Sequence, residues 1–309
     1  MPQSSILLRL GTRGSPLALA QARMVQERLA AAHGFAPERI AIETIHTTGD
    51  RVQDRPLAEL GGKGLFAKEI EEALIARRID LAVHSAKDLA ALPRGLTIAA
   101  CLPREDPRDV FVSRRANDLL ALPPGAVVGT ASPRRQALVK HLRPDLRVVP
   151  LRGNVETRLR KLAEGAADAT ILALAGLKRL GMEAAATSIF AIDEFLPAVG
   201  QGAIAVEIRA DDHATAALLA PIDHMETSIA LAAERAMLTE LGGTCRTPIA
   251  GHAIVTAACI RIRGLIAKPD GSLTFEAVRE GAAKDAAALG ADLGRELKSR
   301  ATPDFFGSL

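Results

Sequence analysis

Three short stretches of this chain bring arginine, small residues and a helix-capping side chain together. They are Thr12-Arg13-Gly14-Ser15-Pro16, Gly129-Thr130-Ala131-Ser132-Pro133-Arg134-Arg135, and Leu151-Arg152-Gly153-Asn154-Val155 with Arg158 one turn later. A helix start carries unpaired backbone N–H groups and the positive end of the helix dipole, so it favours an anion. Arginine adds a planar fork that fits a carboxylate or a phosphate. Taken singly, each stretch is more simply a capped helix start with a solvated arginine. Taken together they imply a ligand with several negative charges. None has phosphate-loop or dinucleotide spacing, which disfavours a nucleotide.

An acid and a thiol complete the set. Asp88 closes the segment Ile79 to Asp88, a strand ending in polar residues, with Lys87 beside it. A carboxylate just past a strand end can give and take a proton and can stabilise a developing cation where water is scarce. An aspartate capping the next turn, with Lys87 in a surface pair, gives the same pattern. Cys245 stands in Leu241-Gly242-Gly243-Thr244-Cys245-Arg246-Thr247-Pro248, a glycine-rich stretch that predicts exposure, and Arg246 beside it favours thiolate. Cys101 and Cys259 follow paired alanines and precede Leu or Ile, and are expected in the core. No second cysteine or suitably spaced histidine accompanies Cys245, so no metal is expected. Gly61-Gly62-Lys63-Gly64 reads either as a plain loop or as a mobile cationic lid.

The elements that must position these residues are legible as an alternation. Strands are expected at Ile6–Leu10, Arg39–His46, Ile79–His84, Val127–Thr130, Leu146–Leu151, Ala169–Leu174 and Ile204–Arg209. Helices are expected from Pro16, with Ser15 as cap and Gly34 as stop, and at Leu65–Arg78, Pro133–Leu142 and Val155–Glu164. Strand–helix alternation implies βαβ units and mainly parallel sheets, with ligand loops at the carboxyl ends of strands. From Asp223 the pattern changes. A helix at Glu226–Leu241, strand-like alternation over Gly251–Leu265 and Leu273–Val278, and a closing helix at Ala282–Ser299 describe a separate, smaller α+β domain.

Composition bounds the possibilities. The chain has 309 residues, long enough for two or three domains, and 48% of them are apolar. A net charge of +3, no Trp or Tyr and eight Phe leave little basis for nucleic-acid binding. Three cysteines do not make a disulfide framework and suit a reducing compartment. Residues 1–13 lack the basic and apolar regions of a signal peptide, and no uncharged apolar run reaches the roughly 18 residues needed to span a bilayer. A cytoplasmic protein with no membrane partner is expected, and, with no exposed apolar helix evident, a monomer.

These motifs, in this order, resemble the hydroxymethylbilane synthases (porphobilinogen deaminases). The resemblance is carried by Thr12 to Leu19, Gly62-Lys63-Gly64-Leu65-Phe66, Val83 to Asp88, Arg104-Glu105-Asp106-Pro107-Arg108-Asp109 and Gly129 to Arg135. It continues through Leu151 to Asn154, Ala175 to Gly181, Pro197 to Gly202, and Cys245 with Pro248-Ile249. Two positions depart from the family pattern: Glu59 stands where a basic residue is common, and Leu89 follows Asp88 where proline is usual.

The resemblance implies an α/β fold of two domains of the type II periplasmic-binding-protein kind, with the active site in the cleft between them, and a smaller C-terminal α+β domain. It divides the chain into residues 1–103 with 203–220, residues 104–202, and residues 221–309. It implies a dipyrromethane cofactor joined by a thioether to Cys245. Four porphobilinogen molecules are added to it in turn, each losing ammonia to give an electrophilic azafulvene, and hydrolysis releases hydroxymethylbilane. Asp88 would be the general acid/base. Arg13, Ser15, Lys87, Thr130, Ser132, Arg134, Arg135, Arg152, Gly153, Arg158 and Arg179 would bind acetate and propionate groups. Gln201 would line the cleft, and Lys63 and Phe66 would belong to a mobile loop. The alternative class is a non-catalytic anion-binding protein of the periplasmic-binding type, since a fold alone fixes no activity.

Overall fold

Ser15 opens the first helix as its sequence suggests. Its hydroxyl oxygen accepts a hydrogen bond from the Ala18 N–H at 3.3 Å, Pro16 takes the first helical position, and Gly34 ends the helix at φ 66°. The structure, a computed structural model, describes residues 6–51, 67–89, 92–243, 247–302 and 305, with the side chains of Asp50 and Arg51 left aside. Glu59, Lys63, Phe66 and Cys245 lie outside the described residues.

In chain order the first elements are β1 (Leu8–Thr12), α1 (Pro16–His33), β2 (Ile40–Thr44), α2 (Thr48–Arg51), α3 (Lys68–Ile75), β3 (Leu81–Ser85) and β4 (Leu96–Cys101). A second set follows: β5 (Asp109–Ser113), β6 (Val127–Gly129), α4 (Pro133–Leu142), β7 (Arg147–Val149), α5 (Val155–Ala163), β8 (Ala169–Ala173), α6 (Leu174–Arg179) and β9 (Ser188–Ile189). The chain then returns through β10 (Ile204–Arg209) and α7 (His213–Leu219). It ends with α8 (Met225–Glu240), β11 (Ile249–Thr256), β12 (Cys259–Ala267), β13 (Thr274–Ala282) and α9 (Ala286–Arg300).

Two five-stranded sheets have orders β2-β1-β3-β10-β4 and β7-β6-β8-β5-β9, and β11-β12-β13 form a third, antiparallel sheet. The larger sheets share one plan. Three parallel strands are followed by one antiparallel strand, β10 in the first and β5 in the second, and then by an edge strand. The two sheets with their helices are of the α/β class, and β11–β13 with α8 and α9 make a small C-terminal α+β domain. The sheets are thus mixed, where alternation alone suggested mainly parallel ones. Every residue of β10 is buried, so its sequence reads the same in either direction.

By their internal contacts the described residues form two units: those within 6–51, 67–105 and 203–228 in one, and those within 106–202 and 229–305 in the other. The first unit buries Leu10, Val25, Leu29, Ile40, Leu81 and Val206 between its sheet and helices. In the second, Ala250, Leu265 and Ala267 of the small sheet share one apolar cluster with Phe111, Val128 and Leu138 of the larger sheet's layer, which explains why the two fall together. The small sheet's other face packs on α8 and α9 through Met237, Ile262, Leu293 and Leu297. Gly290 and Gly294 let the helices approach closely: a Cβ at Gly294 would lie 2.8 Å from the Met237 carbonyl oxygen, and one at Gly290 would strike that of Ala233.

One core expectation fails. Cys101 is buried, but Cys259 is exposed. It opens β12, where alternation sends Ile260 and Ile262 inward and Cys259 and Arg261 outward.

Candidate active site

The parallel strands of each large sheet end along one edge, and the cationic stretches leave from that edge. In the first unit β1 ends at Thr12 and β3 at Ser85; the antiparallel β10 starts there, Ile204 pairing with Ser85. The turn after β1 presents Arg13 and the capping Ser15. After β3 a single 3-10 turn, Ala86–Asp88, presents half-buried Lys87 and Asp88. Arg13, Ser15, Gln21, Ser85 and Asp88 help to line a cavity of about 50 Å³, room for water rather than for a ligand. Gln21 donates to the Ser85 hydroxyl at 2.9 Å and ties α1 to the end of β3.

Arg13 Nη1 stands 3.8 Å from Asp88 Oδ2, with 22% and 36% of the two side chains exposed. An ion pair this open and this long contributes at most about 1 kcal/mol. Asp88 is thus held near a cation without being locked by it.

Behind β3, the His84 Nε2 lies 3.1 Å from Glu207 Oε2 of β10, with both side chains buried. Glu71 of α3 feels that region: burial, then the Glu207 and Glu72 charges, push its carboxyl up from 4.5 to about 7. A carboxyl raised by folding binds more protons folded than unfolded between those values, so its contribution is present below 4.5 and is lost as pH rises through 7. Glu71→Gln is therefore expected to gain thermal stability over the parent chain at pH 8 and to lose that advantage at pH 5. Melting curves at the two pH values check this, and an equal difference at both contradicts it.

In the second unit β6, β7 and β8 end at one edge, and β5 begins there with Asp109 opposite Ala173. Ser132 caps α4, accepting from the Arg135 N–H at 3.4 Å, and Asn154 caps α5, accepting from the Thr157 N–H at 2.8 Å. Thr130 is buried, and its hydroxyl oxygen accepts from the Ser132 N–H at 3.2 Å. Gly153 adopts φ 121°, and a Cβ there would sit 2.6 Å from Thr157, so this turn demands glycine. Its carbonyl accepts from Arg158 Nε at 2.8 Å, while the Arg152 carbonyl accepts from Lys161 at 3.2 Å. Arg179, at the end of α6, donates to the Gly202 carbonyl at 2.6 Å.

Arg134 and Arg135 differ from the other arginines. Their side chains are only 4% and 6% exposed, and both bind the fully buried Asp109. Arg134 Nη2 donates to Asp109 Oδ2 at 2.7 Å; Arg135 donates to Oδ1 through Nη2 at 2.7 Å and Nε at 3.1 Å. Gln201, also fully buried, donates to Oδ1 at 3.1 Å and to the Pro107 carbonyl at 2.7 Å. Burial alone would raise the Asp109 carboxyl, but the two guanidiniums outweigh it and hold it at about 2. Burial also draws Arg134 below the usual guanidinium range, yet arginine keeps its proton at any ordinary pH.

Sequence reasoning passed over Asp109 and Glu234. A signal existed for each: Asp109 is an acid opening the apolar run Val110-Phe111-Val112, and Glu234 is an acid directly after the apolar run Ile229 to Ala233 of α8. Glu234 is buried and accepts from the Gly200 N–H at 2.6 Å and the Ala253 N–H at 2.7 Å.

Comparison with known proteins gives this geometry a family. Residues 8–217 match the family model described as porphobilinogen deaminase, dipyromethane cofactor binding domain, and residues 228–299 match porphobilinogen deaminase, C-terminal domain. Porphobilinogen deaminase from Nitrobacter hamburgensis is 60% identical over 305 residues, 98% of this chain and 96% of that protein. The protein of the same name from Paracoccus denitrificans is 54% identical over 307 residues, 99% and 98% of the two chains. Among solved structures, a nutrient-binding protein from Burkholderia cenocepacia bound to methionine is similar at 13% identity and a TM-score of 0.45, over 69% of this chain and 90% of that one. A periplasmic substrate-binding protein of an ABC transporter from Coxiella burnetii is similar at 17% and 0.43, over 70% and 92%. With two family models over most of its length and relatives more than half identical nearly end to end, this chain belongs to the porphobilinogen deaminase family, and is a transferase of tetrapyrrole biosynthesis that makes hydroxymethylbilane from porphobilinogen on a dipyrromethane cofactor.

Proposed function

We propose that Asp88 is the general acid/base of this reaction, that Cys245 carries the cofactor through a thioether, and that the arginine-bearing strand ends hold its carboxylates. The observation that carries the reading is the placement of Asp88 at a strand end, partly open to solvent and 3.8 Å from Arg13. Departure of ammonia from porphobilinogen requires a proton at the leaving nitrogen and leaves positive charge on the pyrrole. Asp88 can deliver the proton and, as a carboxylate, stand against the charge.

The residues present fit the cofactor. Its acetate and propionate groups need several cationic and N–H donors, and the second unit supplies Arg152, Gly153 and Arg158 at the start of α5, Thr130, Ser132, Arg134 and Arg135 at the start of α4, Arg179 at the end of α6, and Gln201 beside Asp109. Arg134 Nε is buried and has no hydrogen-bond partner among the described residues, as a donor awaiting an acceptor would be. In the first unit Arg13, Ser15 and Lys87 serve the same purpose. When bound, dipyrromethane supplies the pyrrole carbon to which incoming units are joined. Lys63 and Phe66 are assigned to a covering loop on the resemblance alone.

The proposal extends to a cytoplasmic monomer made of three domains, 1–103 with 203–220, 104–202 and 221–309, acting without nucleic acid or membrane. Three cysteines in 309 residues suit a reducing compartment, and among the described residues no helix is long and apolar enough to cross a membrane. Family membership does not favour the non-catalytic anion-binding alternative.

Arg13 provides the test. Replacing it by leucine removes the cation beside Asp88, and kcat/KM for porphobilinogen is expected to fall by about 10²-fold, the scale of a lost charge-positioning contact. Arg13→Lys should recover part of it. Unchanged kinetics in Arg13→Leu would overturn the reading of this edge.

A further inference from the structure

Asp109 is the least expected feature of the second unit. It is a fully buried acid at the first position of β5, and among the described residues its side chain accepts from Arg134, Arg135 and Gln201. The remaining side-chain acceptors of the two arginines are neutral, the carbonyls of Leu196 at 2.8 Å and Ile171 at 2.9 Å. The Phe195 ring stands 5.7 Å from the Arg134 guanidinium carbon. Among the described residues, two guanidiniums against one carboxylate leave one positive charge in excess, shielded from water. Both arginines also sit in the first turn of α4, where the helix dipole disfavours cations. The arrangement is short of one negative charge, and Arg134 Nε is short of one acceptor.

We infer that Asp109 is the positioning residue of this arginine pair: it fixes the two guanidiniums and leaves the cluster a single charge in excess, so that the pair takes one carboxylate of the bound pyrrole chain rather than two. The inference rests on the proposal that Arg134 and Arg135 bind pyrrole carboxylates, and adds what aims them and how many they take. A second contact ties the cluster to the C-terminal helices. Gln201, on Asp109, follows Gly200, whose N–H is held by Glu234 of α8. Asp109 touches no substrate in this account; it acts through the arginines.

The test uses the full chain with Asp109→Asn, Asp109→Glu, Arg134→Leu, Arg135→Leu and the double variant Asp109→Asn with Arg135→Gln. Three quantities are read for each: the fraction of chains carrying the covalent two-pyrrole addition by intact mass, KM against kcat for porphobilinogen, and the thermal midpoint. Asp109→Asn keeps the shape and removes the charge. The addition is expected on several-fold fewer chains, with KM raised about tenfold, as misaimed binding groups give. The double variant restores the charge count but not the geometry, so its midpoint should recover while loading and KM do not. Asp109→Glu keeps the charge and moves the carboxylate by one methylene; it tests the aim even if Asp109→Asn does not accumulate folded, and its KM should rise several-fold.

Loading and KM that simply follow the midpoint in every variant, or a folded Asp109→Glu with unchanged KM, would overturn the inference and leave Asp109 a structural ion. Arg134→Leu and Arg135→Leu separate the two levels. If both bind and load like the parent chain, the carboxylate-binding proposal itself fails. If they are impaired while the Asp109 variants are not, only the positioning role fails.

Discussion

Asp88→Asn is expected to yield a folded protein whose kcat is lower by about 10³-fold, within the range a positioned proton donor contributes. Asparagine matches aspartate in size and keeps one acceptor, so nothing in the 3-10 turn Ala86–Asp88 needs to move. The charge pair it removes, Arg13 with Asp88, is long and partly solvated, so the stability cost should stay under about 1 kcal/mol. KM should change much less than kcat, because the lost interaction serves the proton transfer and the developing cation rather than the carboxylates of bound substrate. Steady-state kinetics beside a melting curve separate these effects. Near-parental turnover in a folded Asp88→Asn would remove the general acid from the account.

Cys245→Ala should have the other large effect. The variant is expected to emerge with the mass of the bare chain and with no measurable conversion of porphobilinogen. The other thiols provide the control. Cys101 is buried at the end of β4, and Cys259 lies exposed at the start of β12. Cys259→Ala should therefore carry the same covalent addition as the parent. An addition that survives Cys245→Ala and disappears in Cys259→Ala would move the attachment site.

What the sequence disclosed follows from how local each feature is. Ser15, Ser132 and Asn154 were legible as caps because each side chain bonds a backbone N–H only three residues ahead. Gly34 was legible as a stop because a left-handed residue after a helix is a local steric matter. The direction of β10 was not. It pairs antiparallel with β3 and β4, more than a hundred residues earlier in the chain, and a strand buried on both faces carries no mark of orientation.

The arginines divide along the same line. Arg152 and Arg158 sit half-buried, as the pattern of a cationic helix start suggests. Arg134 and Arg135 share that pattern, but their burial depends on Asp109, a residue 25 or 26 positions away whose place is fixed only when β5 enters the sheet. Cys259 could have been placed correctly: period-two alternation from Ile260 and Ile262 puts it outside, against the apolar look of its neighbours.

The most direct trial of the central claim is the intact mass of the purified parent chain, before and after brief exposure to porphobilinogen. The account predicts a chain heavier by two linked pyrroles from the outset, and then a ladder in which each step adds one porphobilinogen less ammonia and none exceeds four units. A chain of bare mass that leaves porphobilinogen untouched would contradict it.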